Sequence, residues 1–278
     1  MTVRIESLAF YPIKGCHRVE CQSAELLPSG LRHDREWMLV QPNGMFITQR
    51  TDAVLATLSP AFDAGERLLT VAATGRAPLR VPLAGRGERR PVRVWSDSCE
   101  AEDQGDEAAA WFSEIVGRPL RLVRFPDDGV RHANREFAGE DHAPVKFPDA
   151  YPVLVTQSAS LAALNAAIVA SGAAPGEAPL PMTRFRPNIV LAGLAPFDED
   201  RIDRLRIGDA ELRLVKPSTR CVVTTTDQES GVRGIEPLPT LKKERWNGEL
   251  KGVTFGENAT VLRPGSLRVG DAVEVCWR

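Results

Sequence analysis

The sequence predicts a mainly β protein, built from small β-barrels with a few helices at the periphery. Two observations predict this class. The 278 residues include 21 Pro and 22 Gly, which implies many turns and favours short strands over long helices. Hydrophobic residues make up 43% and charged residues 26% of the chain, with a formal net charge of −2. This balance is typical of a packed protein and favours neither a disordered chain nor a nucleic-acid partner.

Short apolar runs that end at turn residues predict the first strands. Residues 3–11 form one run, which stops at Pro12, and residues 36–40 form another. The segment Pro42-Asn43-Gly44 then predicts a hairpin turn into residues 45–47.

Two more strands and one helix complete the first half. The strands are predicted at residues 68–71 and 91–95, where alternation of Val and Arg indicates one buried face. Residues 106–116 carry apolar side chains at helical spacing, and Gly117 is expected to end that helix. This succession suits a small barrel.

A long irregular segment follows. Residues 125–148 are rich in Asp, Arg, His, Gly and Pro without a regular period, which predicts a loop. We place the domain boundary near the start of this loop, with one domain at residues 1–126 and a second at residues 127–278.

The second half is expected to form another barrel. Residues 153–156 are typical of a buried strand, and Ser158 is predicted as the N-cap of a helix that ends at Gly172. The segments 205–210 and 267–272 closely resemble each other, and both predict Gly-Asp hairpins.

The most reactive candidate is Cys221, in the segment Lys216-Pro-Ser-Thr-Arg-Cys221. Positive charge from Lys216 and Arg220 would favour the thiolate, which is a nucleophile or a ligand for a soft metal. The alternative is a buried cysteine at the start of a strand. Pro217 is expected to break the preceding strand, and Asp227 to serve a turn with Ser230-Gly231.

The other cysteines predict less chemistry. Five widely spaced cysteines do not form a secreted disulfide framework, which indicates a reducing compartment, and the sequence starts without a signal peptide or membrane anchor. We therefore expect a cytoplasmic protein. Cys16 and Cys21 with one His make a poor zinc signature. Nucleotide-binding and serine-hydrolase motifs are missing, and pyridoxal phosphate is not expected.

Basic residues beside predicted turns form a second candidate group. Lys14, Arg35 and Arg186 each lie at the end or start of a predicted strand. If the fold brings them together, they would clamp a phosphate, with Arg binding in bidentate fashion.

Several separated motifs, in order, give the chain a resemblance to a known family. They are Tyr11-Pro-Ile-Lys-Gly-Cys16, Leu31-Arg-His-Asp-Arg-Glu-Trp37, Phe147-Pro-Asp-Ala-Tyr-Pro-Val-Leu-Val155, Phe185-Arg-Pro-Asn188 and Lys216-Pro-Ser-Thr-Arg-Cys221. Together they closely resemble MOSC-domain proteins that carry the MOSC amino-terminal β-barrel. Within these, the chain is most similar to the mitochondrial amidoxime-reducing components and their bacterial relatives.

The resemblance implies a molybdenum cofactor, with molybdopterin and a Cys221 thiolate on the metal. It assigns Lys14 and Arg35 to the pterin phosphate and Asp149 to proton delivery, for which a raised pKa is expected. Gly15 stands where relatives often carry Ser, and it leaves a backbone N–H for the phosphate. The remaining positions that match cofactor-lining segments are Thr156, Gln157, Ser158, Arg186, Asn188, Ser218, Thr219 and Arg220.

The implied activity is reduction of small N-hydroxylated or N-oxygenated compounds. The sequence shows neither the ferredoxin module of some bacterial relatives nor the membrane anchor of the mitochondrial ones. Electrons are therefore expected from a separate partner of ferredoxin or flavin/cytochrome type. The alternative function is a carrier that stores the cofactor, or holds sulfur as a Cys221 persulfide.

Overall fold

A computed structural model describes residues 2–63, 65, 67–84, 87–139 and 143–278. His142, within the predicted loop, lies outside the described residues. Strands dominate, which confirms the mainly β class. In chain order they are β1 (Arg4–Phe10), β2 (Val19–Cys21), β3 (Ser23–Leu27), β4 (Gly30–Leu31), β5 (Trp37–Val40), β6 (Ser59–Phe62), β7 (Leu68–Ala72), β8 (Leu79–Pro82), β9 (Arg89–Val94), β10 (Asp97–Asp103), β11 (Arg121–Arg124), β12 (Val153–Gln157), β13 (Ile189–Ala192), β14 (Ile202–Ile207), β15 (Ala210–Thr219), β16 (Trp246–Asn247), β17 (Gly252–Arg263), β18 (Gly265–Arg268) and β19 (Glu274–Trp277).

The helices are short and lie around the sheets. The α-helices are α1 (Asp106–Val116), α2 (Arg135–Ala138), α3 (Ser158–Ala170) and α4 (Leu238–Glu244), and the 3-10 helices are Ala53–Thr57, Met182–Phe185, Asp198–Arg201 and Val222–Thr225. Within the described ranges, none of these helices has the length and apolarity needed to span a bilayer. The cytoplasmic location stays a prediction.

Among the described residues, the largest sheet has nine strands and belongs mostly to the second half of the chain. Its order is β19-β14-β15-β17-β12-β13-β1-β2, with β16 added beside β17. Strands β12 and β13 run parallel because α3 crosses over between them, whereas the other neighbours are antiparallel.

The first strands of the chain complete this second-half structure. Strand β1 pairs with β13, with Leu8 opposite Ile189, and β3 pairs with β18, with Leu26 opposite Gly265. Side chains of β1 and β3 enter one apolar core with those of β12 to β15, β17 and β18. The domain boundary near residue 126 stays a prediction, and two sheets contain strands from both sides of it.

The rest of the first half encloses a separate core. Strands β5, β11, β10 and β9 form one sheet, and β6, β7 and β8 form another. Trp37, Leu69 and Phe112 are buried in this core, with Phe112 contributed by α1. The predicted helix 106–116 is confirmed, and Gly117 ends it in the left-handed conformation with φ 80°.

Three local expectations are wrong. Gln157, and not Ser158, caps α3, because the Gln157 side chain accepts a hydrogen bond from the amide of Ala159. The segment 267–272 is not a hairpin: β18 pairs with β3, whereas β19 pairs with β14. Pro217 does not break the strand, because it lies in β15 where the register against β17 shifts and no amide donor is required.

Candidate active site

The two halves of the chain meet at a cavity of about 290 Å³. It gathers ten residues predicted from the sequence, although they lie in five separate segments of the chain. They are Lys14, Gly15, Arg35, Asp149, Arg186, Asn188, Ser218, Thr219, Arg220 and Cys221.

Cys221 stands where β15 gives way to a helical turn. The amide of Arg220 still donates to the carbonyl of Val253, at 2.8 Å, as a continuation of the sheet. Directly afterwards the carbonyl of Cys221 accepts hydrogen bonds from the amide and hydroxyl of Thr224. These bonds form the first turn of the 3-10 helix Val222–Thr225. The Cys221 thiol is half-buried, has no disulfide partner and lines the cavity. It follows a strand, so the alternative of a buried cysteine at a strand start is wrong.

Arg220 brings a half-buried positive charge beside that thiol. Its terminal nitrogens donate to Ser218 Oγ at 2.7 Å and to the carbonyl of Phe185 at 2.6 Å. Its Nε is buried and has no hydrogen-bond partner among the residues that the structure describes. Burial lowers the pKa of Arg220 to about 10, although the neighbouring Cys221 opposes that shift. An unpaired buried N–H of a guanidinium is a strong donor for an anion.

Arg35 and Arg186 converge on Tyr11, as the phosphate-clamp hypothesis requires. Each guanidinium carbon lies 4.2 Å from the centre of the Tyr11 ring. Arg35 donates to both carboxylate oxygens of Asp34, at 2.7 and 2.6 Å, and to Asn188 Oδ1 at 3.2 Å. Burial lowers the pKa of Arg186 to about 10. Rings and hydrogen bonds thus hold both cations at the cavity wall.

Lys14 and Asp149 form an ion pair on the same wall. The Lys14 ammonium donates to Asp149 Oδ1 and, at 2.8 Å, to the carbonyl of Phe147. Desolvation would raise the pKa of Asp149, but the charge and hydrogen bond of Lys14 and a bond from Trp95 outweigh it. The net effect holds that pKa below its usual range, so the expected raised pKa is wrong. Burial lowers the pKa of Lys14, against the attraction of Asp149.

Three predicted cofactor residues do not reach the cavity. The Thr156 hydroxyl contacts the sulfur of Met182 at 3.3 Å, Gln157 donates to the carbonyl of Ala195, and Ser158 donates to Leu191 at 3.4 Å. These residues join the end of β12 to the start of α3. Their side chains therefore secure a strand–helix junction outside the cavity lining.

Most of the other lining residues could not be predicted from the sequence. Thr48, Gln49, Arg50, Trp95, Tyr151, Leu154, Lys216 and Asn258 also line the cavity. Lys216 is the exception, because the sequence already indicates it as a positive charge near Cys221. Arg50 and Trp95 come from loops without a recognisable motif, and only the fold brings them to the site.

The cavity is strongly cationic. Its basic lining residues, within the part of the chain that the structure describes, are Lys14, Arg35, Arg50, Arg186, Lys216 and Arg220. Asp149 is the acidic residue among them, and Lys14 already neutralises it. Such an excess of positive charge suits an anionic ligand such as a phosphate ester.

Two family models cover most of the chain, and both describe the fold seen here. The MOSC N-terminal beta barrel domain matches residues 2–119 and the MOSC domain matches residues 142–274. The chain therefore belongs to the MOSC-domain proteins that carry the MOSC amino-terminal β-barrel, as the sequence motifs predict.

Within that class the chain is similar to the mitochondrial amidoxime-reducing components. It is 33% identical to mitochondrial amidoxime reducing component 2 of Bos taurus and 32% identical to mitochondrial amidoxime-reducing component 1 of Homo sapiens. Each match covers 97% of this chain and 82% of the relative. Molybdenum cofactor sulfurase of Bos taurus is 29% identical over 97% of this chain, which spans 32% of that protein.

Proposed function

We propose that the protein is a molybdenum-cofactor-dependent oxidoreductase that reduces N-hydroxylated and related N-oxygenated compounds. The observation that carries the proposal is the free Cys221 thiol in a cavity lined by six basic side chains. Similarity to amidoxime-reducing components over 97% of the chain supports the same activity. A separate electron-transfer protein of ferredoxin or flavin/cytochrome type supplies the electrons.

The residues of the cavity fit such a cofactor. Cys221 supplies one soft sulfur ligand for molybdenum. No group of three or more His, Cys, Asp or Glu side chains is poised for a metal in the described residues. Arg35, Arg186 and the unpaired Nε of Arg220 match an anionic pterin phosphate. The backbone of Gly15 completes that side of the cavity.

When bound, the cofactor would supply a redox-active metal able to exchange electrons with the substrate. Reduction of a hydroxylamine-type group to the amine consumes two electrons and two protons and releases water. The pKa of Asp149 is held below its usual range, so this carboxylate is ionised and does not store a proton for the reduction. We assign that role to the Lys14 ammonium, which Asp149 and the carbonyl of Phe147 position at the cavity wall.

Replacement of the thiol tests the proposal. Protein produced in a cofactor-synthesising host should contain stoichiometric molybdenum and pterin, and should reduce benzamidoxime with an artificial electron donor. Cys221→Ala should lower this activity at least about a hundredfold, because the metal loses its protein ligand. Cys276→Ala on β19, also a half-buried free thiol, is the matched control. Full activity in Cys221→Ala would refute the assignment.

A carrier of cofactor or sulfur is the second candidate, favoured by the similarity to molybdenum cofactor sulfurase. A half-buried thiol beside Arg220 also suits a persulfide. Intact mass measurement separates the two functions. One added sulfur on metal-free Cys221, without bound molybdenum, supports the carrier.

A further inference from the structure

Trp95 occupies a backbone position that favours a much smaller residue. Val94 and Asp97 pair at the end of the β9–β10 hairpin, which leaves Trp95 and Ser96 as a two-residue turn. Trp95 has φ 55°, in the left-handed region. Two-residue hairpin turns with positive φ at the first central residue usually carry Gly or Asn there, and a bulky residue is an outlier. The turn itself therefore gives no reason for an indole.

The indole instead lines the cavity. Its Nε1 donates to Asp149 Oδ1 at 3.0 Å, and the Arg50 guanidinium lies 4.4 Å from the ring centre. Phe46 packs edge-on against the ring, with the centres 4.9 Å apart. Three neighbours thus fix the orientation of the side chain.

Although it is fixed, the side chain is not buried. Trp95 retains 39% of its surface exposed, at the rim of the cavity that contains Cys221. The exposed part of this ring is apolar and its position is fixed. A ligand that covers it would therefore gain from burying apolar surface. Trp246 is also exposed, at 55%, but it does not line the cavity.

We propose that Trp95, oriented by Arg50, is a specificity-determining residue that stacks the planar aromatic part of a substrate whose N–O group points toward Cys221. Aromatic N-hydroxylated compounds are then preferred over aliphatic ones with the same head group. The reduction of these substrates rests on the proposed function. The binding preference does not, because stacking on the indole requires no turnover.

Comparison of benzamidoxime with acetamidoxime tests this preference, since both carry the same head group and only the former has a ring. Trp95→Leu should raise the KM for benzamidoxime relative to that for acetamidoxime by about three- to tenfold, the usual effect of one aromatic contact. Trp95→Phe should restore most of the ratio. Loss of the hydrogen bond to Asp149 affects both substrates alike and cancels in the ratio.

Two measurements do not depend on catalysis. Calorimetric titration of the oxidised holoprotein, without an electron donor, should show the same ratio in the Kd values. Trp95→Gly should remain folded because Gly suits the turn, and it should lose the preference as Trp95→Leu does. Trp246→Leu should leave both Kd values unchanged.

The outcomes separate the two proposals. Turnover of both amidoximes with no dependence of the KM or Kd ratios on Trp95 overturns the inference and leaves the proposed function intact. A Trp95-dependent Kd ratio without turnover supports the stacking site while the proposed function fails. Equal weakening of both ligands in Trp95→Leu also overturns the inference.

Discussion

At the scale of single residues, three side chains of the cavity lining stand on strained backbone. Arg35, Trp95 and Arg186 all line it, and all have positive φ, at 45°, 55° and 57°. Such conformations cost of the order of 1 kcal/mol or more in non-glycine residues. They persist because the side chains are held on Tyr11, Asp34 and Asp149. These conformations position charged and aromatic side chains at the cavity, and they do not stabilise the fold.

The Lys14–Asp149 pair gives a prediction about pH. Asp149→Asn removes the charge that raises the pKa of Lys14, so burial lowers that pKa further. Lys14 then loses its proton at a lower pH, and the alkaline fall in activity should move to lower pH. At about pH 8 we expect at least a tenfold loss of kcat relative to the parent, and a smaller loss at about pH 6.

The pH profile of kcat for benzamidoxime measures this shift. Asp209→Asn, an exposed Asp in the β14–β15 turn, is the matched control and should keep the parent profile. A uniform loss at all pH values in Asp149→Asn would contradict Lys14 as the proton donor.

Some site residues were predictable and others were not. Cys221 and Arg220 stand in one local motif, so the sequence displays their chemistry. The depressed pKa of Asp149 depends on Lys14, which lies 135 positions earlier, and no local pattern contains that contact. Burial, which only the fold reveals, also raises the pKa of Cys16 to about 12 and that of Cys21 to about 11. Both therefore remain neutral thiols at physiological pH.

At the scale of elements, periodicity and turn chemistry predict the local structure well. The apolar spacing of residues 106–116 gave α1 with the observed bounds, and Gly208-Asp209 forms the predicted β14–β15 hairpin. The second Gly-Asp segment, residues 267–272, does not form the predicted hairpin, because its strand pairs with a strand that is distant in the sequence. Its turn residues Gly270 and Asp271 bond with Ile5 of β1 instead of closing a hairpin.

Helix α1 gives a prediction about stability. The Phe112 side chain is fully buried in the core of the first half. Phe112→Ala should lower the free energy of unfolding by about 3–5 kcal/mol, because it removes apolar burial and leaves a cavity. Urea denaturation followed by circular dichroism measures this change. Glu107→Ala, on the exposed side of the same helix, should change it by less than about 0.5 kcal/mol.

At the scale of the whole molecule, the two halves are joined beside the cavity by buried polar contacts. Gln49 and Gln228 exchange amide hydrogen bonds of 3.0 and 3.1 Å. Arg186 donates to the carbonyl of Cys16 and to Gln228, at 2.8 Å each. The cavity therefore depends on contacts between the halves as well as on either barrel.

A buried carboxyl group predicts how stability of the whole protein changes with pH. Burial, with Asp200 and Glu199 nearby, raises the pKa of Glu257 to about 9, although Arg278 opposes the shift. The folded protein keeps a proton that the unfolded chain releases above about pH 4.5. This effect lowers the free energy of unfolding as pH rises from about 4.5 to 9.

Glu257→Gln removes this penalty. The stability of the variant relative to the parent should increase with pH, with a slope of up to about 1.4 kcal/mol per pH unit. Urea denaturation between about pH 5 and pH 8 gives the slope. Glu274→Gln, exposed on β19, is the control, and parallel curves for Glu257→Gln and the parent would exclude the proposed titration.

The pairing of β3 with β18 has a consequence for synthesis. Leu26 lies opposite Gly265, so a strand translated among the first thirty residues gains its partner only when the chain is almost finished. Until then the edge of β3 that pairs with β18 is open, and Leu26 lacks the Leu267 side chain that shares its core. On the ribosome the nascent chain therefore exposes an unpaired strand edge for most of its translation, and a folding chaperone has a defined segment to shield.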